Sequence, residues 1–128
     1  MNLLLDTHSF IWCGICPEKL STRASSLILD RSNILFLSLA SIWEMQIKLQ
    51  LGKLRFDMTL SELLAVQQQI NAIQLLPLEL AHIWTLGSLP PHHRDPFDRM
   101  LIAQSIASQM PILSVDSAFD SYSIQRLW

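Results

Sequence analysis

Apolar residues follow two rhythms along this chain. Short continuous runs at Asn2–Leu5, Ile34–Leu37 and Ile112–Val115 each predict a strand buried on both faces. Longer segments with apolar positions three and four apart predict helices. Thr7–Trp12 opens a helix in a stretch that Pro17 breaks, and Ser21 caps one that runs to about Asp30. Ser38 begins another, with Ile42, Met45 and Leu49 as its core stripe and Gly52 just past its end. Thr59 caps a helix through about Ile70, and Pro77 starts one that reaches Leu86. Residues 53–58 read as a connector, Ile73–Leu76 and Ile124–Leu127 as short extended runs, and Ser117–Tyr122 as a turn or a single helical turn.

The most informative stretch is His93–Gln104, HRDPFDRMLIAQ. Asp95 followed by Pro96 reads as N-cap and first helical residue, since proline lacks the N–H that would find no partner there. Phe97, Met100, Leu101, Ile102, Ala103, Ile106, Ala107 and Met110 then put apolar groups almost all round the helix, which predicts burial on most sides. Asp98 and Ser105 lie about 20° apart on the narrow polar line that remains.

Strands alternating with helices imply an α/β fold: a central, mostly parallel sheet with helices on both faces, in three layers. Residues 1–128 suffice for one domain. In such sheets ligands sit at the carboxyl ends of strands, where Asp6 and Asp116 fall.

Half of the residues are hydrophobic and only 16% are charged, so an acid inside an apolar run stands out. The net charge of −2 argues against a broad nucleic-acid-wrapping surface but not against a small site where cations offset acids. Cys13 and Cys16 are spaced C-x-x-C, yet the segment already reads as helix; adjacent His92 and His93 have poor zinc spacing, so two reduced thiols are the simpler expectation. Asp6 and His8 interrupt the first apolar run and no basic residue precedes it, so no secretory signal or membrane span is read and the cytoplasm is the expected location.

Four acids, Asp6, Glu44, Asp98 and Asp116, sit at the end of or inside apolar elements. Each has a plain alternative: Asp6 and Asp98 as helix caps, Glu44 as the partner of Lys48 one turn on, Asp116 as a turn residue after a strand. Asp95 is expected to remain a cap and Asp120 a solvated turn acid. Gathered in one pocket, several carboxylates would repel one another unless a hard cation such as Mg²⁺ or Mn²⁺ joined them. Such ions activate water and stabilise the charge of a phosphodiester displacement.

The segments LLLDTHSFIW (3–12), SLASIWEMQIKLQLGKL (38–54), LPPHHRDPFDRMLIAQ (89–104) and ILSVD (112–116) resemble PIN-domain ribonucleases, of the VapC type found in toxin–antitoxin pairs. The resemblance runs nearly end to end and implies a PIN-like α/β/α fold. It places the metal-binding and catalytic acids on Asp6, Glu44, Asp98 and Asp116. It further implies a Mg²⁺- or Mn²⁺-dependent endoribonuclease that hydrolyses RNA with a metal-activated water. The expected partners are RNA, a second copy of the chain and a cognate antitoxin, with DNA reached only through that antitoxin. Val115 stands where many relatives carry arginine, which removes a basic residue near the site.

Two competitors belong to other classes. One is a catalytically silent PIN-fold module that only binds a partner protein. The other is haloacid-dehalogenase-type phosphatase chemistry, which needs a second aspartate two residues after Asp6; His8 stands there. Among nearby residues, Thr7 is a candidate to hold a carboxylate or a metal-bound water, and Lys48, Arg94 and Arg99 are candidates to meet phosphate. His92 and His93 are expected as surface loop residues. Trp12, Trp43, Trp84 and Trp128 are expected in the core or at interfaces.

Overall fold

Three leucines set the centre of the molecule. Leu3, Leu4 and Leu5 on strand β1 (Asn2–Leu5) are fully buried, and successive side chains point to opposite faces of the sheet. Leu3 and Leu5 join one apolar cluster, Leu4 the other. A strand buried on both faces needs helices on both, and the computed structural model, which describes residues 1–128, supplies them.

The chain continues through α1 (Thr7–Ile15), α2 (Thr22–Leu29), β2 (Ile34–Ser38), α3 (Leu39–Gln50), α4 (Leu60–Asn71) and β3 (Gln74–Leu76). Then come α5 (Leu80–Leu86), α6 (Pro96–Ser108), β4 (Ile112–Leu113) and β5 (Arg126–Leu127), with short 3₁₀ turns at Pro17–Lys19 and Ser117–Ser121. All five strands are parallel, in the order β3-β2-β1-β4-β5. Leu5 lies opposite Leu37 of β2 on one side and Leu113 of β4 on the other. Phe10 of α1, Ala24 and Ile28 of α2 and Leu63 of α4 fill the first cluster; Leu101 and Ile102 of α6 fill the second. Helix α3 packs against both α1 and α6 and so joins the two layers at one end of the sheet. The result is a three-layer α/β/α fold. No helix is long and apolar enough to cross a membrane.

Several boundaries differ from the sequence expectation. Helix α1 runs on through Ile15 rather than stopping near Trp12. Helix α5 starts at Leu80, not Pro77: the Glu79 N–H donates to Nδ1 of His82, 3.1 Å away, and the Pro77 carbonyl is taken by Gln104 Nε2 at 3.3 Å. Strand β4 is two residues long rather than four, because the Ser114 hydroxyl accepts the Asp116 N–H (3.0 Å) and turns the chain out of the sheet. Strand β5 likewise shrinks to Arg126–Leu127.

Candidate metal centre

The strand order fixes where a site can form. From β1 the chain steps outward through β2 and β3, then returns to the other side of β1 with β4 and β5. The reversal lies between β1 and β4, and in open α/β sheets that is where a crevice opens at the carboxyl ends. Asp6 follows β1 and Asp116 follows β4. Glu44 reaches the same place from α3 and Asp98 from the first turn of α6. All four acids, together with Asp95, Thr7, His8 and Lys48, line one cleft of about 130 Å³.

Each acid is held differently. Asp6 caps α1, its Oδ1 accepting the Ser9 N–H at 2.8 Å. Glu44 is buried; its Oε1 accepts from the Thr7 hydroxyl (2.7 Å) and its Oε2 from Lys48 Nζ (2.7 Å). Thr7 also shares a hydrogen bond with Ser41 (3.0 Å), so its rotamer is fixed from two sides. Asp116 caps the following 3₁₀ turn by accepting the Ala118 N–H at 3.0 Å, while remaining exposed to the cleft. Asp95 caps α6, with Oδ1 accepting from Phe97 N (2.8 Å) and Asp98 N (3.1 Å). Asp6 and Asp116 thus each make a local cap hydrogen bond while also lining the cleft. The two roles separate at α6: Asp95 takes the cap, and the Asp98 carboxylate accepts no hydrogen bond from any protein group.

Electrostatics follow from this inventory. Five carboxylates line the cleft against one lysine, and that lysine is already paired with Glu44. Burial pushes the Asp98 carboxyl up to about 7, and repulsion from Asp95, Glu44, Asp6 and Asp116 adds to it. Burial also raises Asp6, partly offset by hydrogen bonds from Ser114 and Ser9. An excess of hard oxygen donors, with one carboxylate left without a protein donor, fits a hard divalent cation. The carboxylates of Asp6, Glu44, Asp98 and Asp116 have the chemistry to hold one.

Other candidates fall variously. Lys48 spends its ammonium on Glu44, and Arg99 donates to the carbonyls of Pro90 (3.0 Å) and His93 (3.5 Å); Arg94 is exposed. His92 is exposed as expected, but His93 is not a surface residue: its side chain is only 9% exposed. Its ring stacks on Phe119 and its Nε2 lies 3.8 Å from Asp116 Oδ2. Nothing in the sequence distinguishes which of two neighbouring histidines faces inward. None of the four tryptophans is buried; Trp43 and Trp84 are among the most exposed apolar side chains. Cys13 and Cys16 are free thiols away from the cleft.

A groove of about 300 Å³ adjoins the cleft, sharing Thr7, His8 and Lys48 with it. Lys19, Lys53 and Arg55 line it together with Trp12 and Phe56. Residues 53–58 are more than the connector expected of them. The signal in the sequence is the alternation Lys53-Leu54-Arg55-Phe56, whose cations are exposed and whose apolar residues are half-buried.

The chain belongs to the PIN domain family, whose model matches residues 3–125. No curated protein matches it by sequence. Among solved structures, it is similar to a chain of VapBC2 from Rickettsia felis, bound there to a DNA fragment from its promoter, at 12% identity and a TM-score of 0.76, covering 99% of this chain and 98% of that one. It is also similar to a chain of VapBC-5 from Mycobacterium tuberculosis, a member of the VapBC family of toxin–antitoxin systems (15% identity, TM-score 0.62, 98% of each chain). A chain of FitAcB from Neisseria gonorrhoeae matches at 14% identity and a TM-score of 0.63, over 98% of this chain and 96% of that one. At these identities the likeness concerns the fold, and the whole-chain fold is that of VapC-type PIN proteins.

Proposed function

We propose that this protein is a divalent-metal-dependent endoribonuclease that acts as the toxin of a toxin–antitoxin pair. The observation that carries the proposal is the convergence of Asp6, Glu44, Asp98 and Asp116, from four separate elements, on one cleft at the sheet's reversal point. Membership of the PIN family and the fold shared with VapBC proteins support the same reading.

Asp6, Glu44, Asp98 and Asp116 are the proposed ligands. These residues would hold Mg²⁺ or Mn²⁺, which would supply Lewis acidity toward a phosphodiester and a water. The protein's own contribution is to position these ligands. Thr7 and Lys48 fix both oxygens of Glu44, the α1 and 3₁₀-turn caps orient Asp6 and Asp116, and Asp95 orders the turn that carries Asp98. The adjoining groove supports a single-stranded polyanion as substrate. Lys53 and Arg55 offer charge without an ion-pair partner to phosphates, Lys19 adds its charge from above the Trp12 ring, and Phe56 offers a ring face to bases. In this proposal a cognate antitoxin silences the site, and the active form is a dimer.

The test is cleavage of an unstructured RNA in Mg²⁺ or Mn²⁺, wild type against Asp98→Asn. The variant should lose more than about 100-fold in rate. Equal cleavage by both proteins would remove Asp98 from the chemistry. Calorimetric uptake of Mn²⁺ separates the nuclease from a silent binding module, which would take up none.

A further inference from the structure

His93 is fixed in the loop before α6 by three contacts. Its backbone N–H donates to the Tyr122 hydroxyl at 2.8 Å, and its Nδ1 lies 3.2 Å from the same oxygen. Its ring stacks on Phe119, with centroids 5.2 Å apart and planes 17° from parallel. The side chain is more than nine-tenths buried, yet Nε2 has no hydrogen-bond partner. Leaving a buried polar atom unpaired is costly, and turning the ring would give up its stacking and its bond to Tyr122. Nε2 faces Asp116, too far at 3.8 Å for a hydrogen bond. One donor atom each from His93, Asp98 and Asp116 lies within 4.8 Å of the other two.

This spacing suits a cation better than a proton. Donors about 2.1 Å from a six-coordinate ion lie about 3 Å apart as neighbours and about 4 Å apart across it; the 3.8 Å pair of His93 and Asp116 falls within that span, and the trio, within 4.8 Å, needs only a small contraction to meet it. Tyr122 completes the arrangement. A phenol oxygen has two lone pairs, so it can accept both the His93 backbone N–H and Nδ1–H. That tautomer leaves the Nε2 lone pair free on the side of Asp116. A histidine that binds metal commonly gives its other ring N–H to such an acceptor.

We propose that Nε2 of His93 is a further ligand of the divalent ion, beside Asp98 and Asp116, and that this nitrogen biases the site toward Mn²⁺ over Mg²⁺. The inference rests on the metal-dependent reading above. Mg²⁺ gains little from an imidazole donor, whereas a transition ion gains more.

The experiment uses the full chain with MnCl₂ or MgCl₂ as the probe, read by calorimetry and by pulsed electron paramagnetic resonance of the Mn²⁺-loaded protein. Wild type should show nitrogen coupling from one imidazole. His93→Phe, which keeps a ring on Phe119 without a donor, should lose that coupling. It should bind Mn²⁺ about 10-fold more weakly while Mg²⁺ affinity changes less than about twofold. Tyr122→Phe should weaken Mn²⁺ binding and keep the coupling, which provides a second variant if His93→Phe does not fold. His92→Phe, at the exposed neighbouring histidine outside the cleft, should change neither. Mn²⁺ uptake by wild type without nitrogen coupling, or coupling that persists in His93→Phe, overturns the role of His93 and leaves the carboxylate site standing. No Mn²⁺ uptake at all overturns the metal site itself.

Discussion

Asp98 carries a large electrostatic penalty in the cleft. Its carboxyl sits near 7 in the folded chain against 3.8 for a free side chain, because of burial first and neighbouring carboxylates second. Between those values the ion-free folded protein holds a proton that the unfolded chain has released. Stability should therefore fall as pH rises from about 4 to about 7 and level off above that, with the raised Asp6 adding in the same direction. Asp98→Asn removes the ionisable group. It should flatten that profile and stabilise the ion-free protein above pH 7 while abolishing cleavage. Asp98 keeps some access to water, so the gain should be about 1–2 kcal/mol rather than the full value of its shift. Thermal melts across pH check this; a variant less stable than wild type at pH 8 would mean that Asp98 serves the fold. Asp95 allows a cleaner dissection. Asp95→Ala loses two cap hydrogen bonds and should cost about 1 kcal/mol, whereas Asp95→Asn keeps the cap and removes the charge. The asparagine variant should retain stability and lower the Asp98 pKa, read as a downward shift of the pH profile.

At the level of elements, the segment 53–56 and the helix ends carry separate expectations. If Lys53 and Arg55 guide RNA, then Lys53→Glu with Arg55→Glu, made in the Asp98→Asn background so that RNA survives, should weaken binding of single-stranded RNA about 10-fold or more. It should also flatten the salt dependence, since each lost phosphate contact takes away about 0.7 of slope. An unchanged slope would exclude the groove as the RNA path. Helices α4 and α6 end on Ala72 and Gln109, both left-handed with φ of 52°. Glycine there should stabilise by roughly 0.5 kcal/mol, the relief of a side chain in that region less the extra freedom of the unfolded chain. These elements also mark what could be read in the sequence. Helix starts were legible because one side chain makes the cap: Asp6, Ser21, Ser38, Thr59 and Asp95 each accept from a backbone N–H in the first turn. The alternation of strands and helices was legible too, and with it the sites of Asp6 and Asp116 at strand ends. What depends on distant partners was not. The start of α5 rests on Gln104 claiming the Pro77 carbonyl, and the inward turn of His93 rests on Phe119 and Tyr122. Pairing of Glu44 with Lys48 was readable from their spacing, but its burial required Thr7, 37 residues away in sequence.

Exposed apolar side chains occur on several elements of the molecule, and one group of them sits on helix α5. Helix α5 turns His82 inward and presents Leu80, Ile83 and Trp84 to solvent, the reverse of an ordinary surface helix. Nearby, an apolar cavity of about 180 Å³ lies among Ala40 and Trp43 of α3, Leu78, Leu86 and the Pro96–Met100 turn of α6. Trp84 is 70% and Trp43 59% exposed, and patches of this kind on soluble chains mark interaction sites. A second copy is the proposed occupant, because the patch adjoins the cleft through residues that must stay in place. Trp43 meets Phe97 edge-on at 5.2 Å, and these two are the chain neighbours of Glu44 and Asp98. A copy docked there would exclude water from the backs of the turns that carry Glu44 and Asp98. Trp84→Lys lies on α5, away from every cleft residue, so it separates assembly from chemistry. Wild type should sediment as a dimer with a Kd of about 1 µM or tighter, and Trp84→Lys as a monomer with an unchanged fold by circular dichroism. The monomer should still take up Mn²⁺ if all ligands come from one chain. A wild type that sediments as a monomer throughout that range would leave the apolar face to the antitoxin, and Trp84→Lys would then weaken that complex instead.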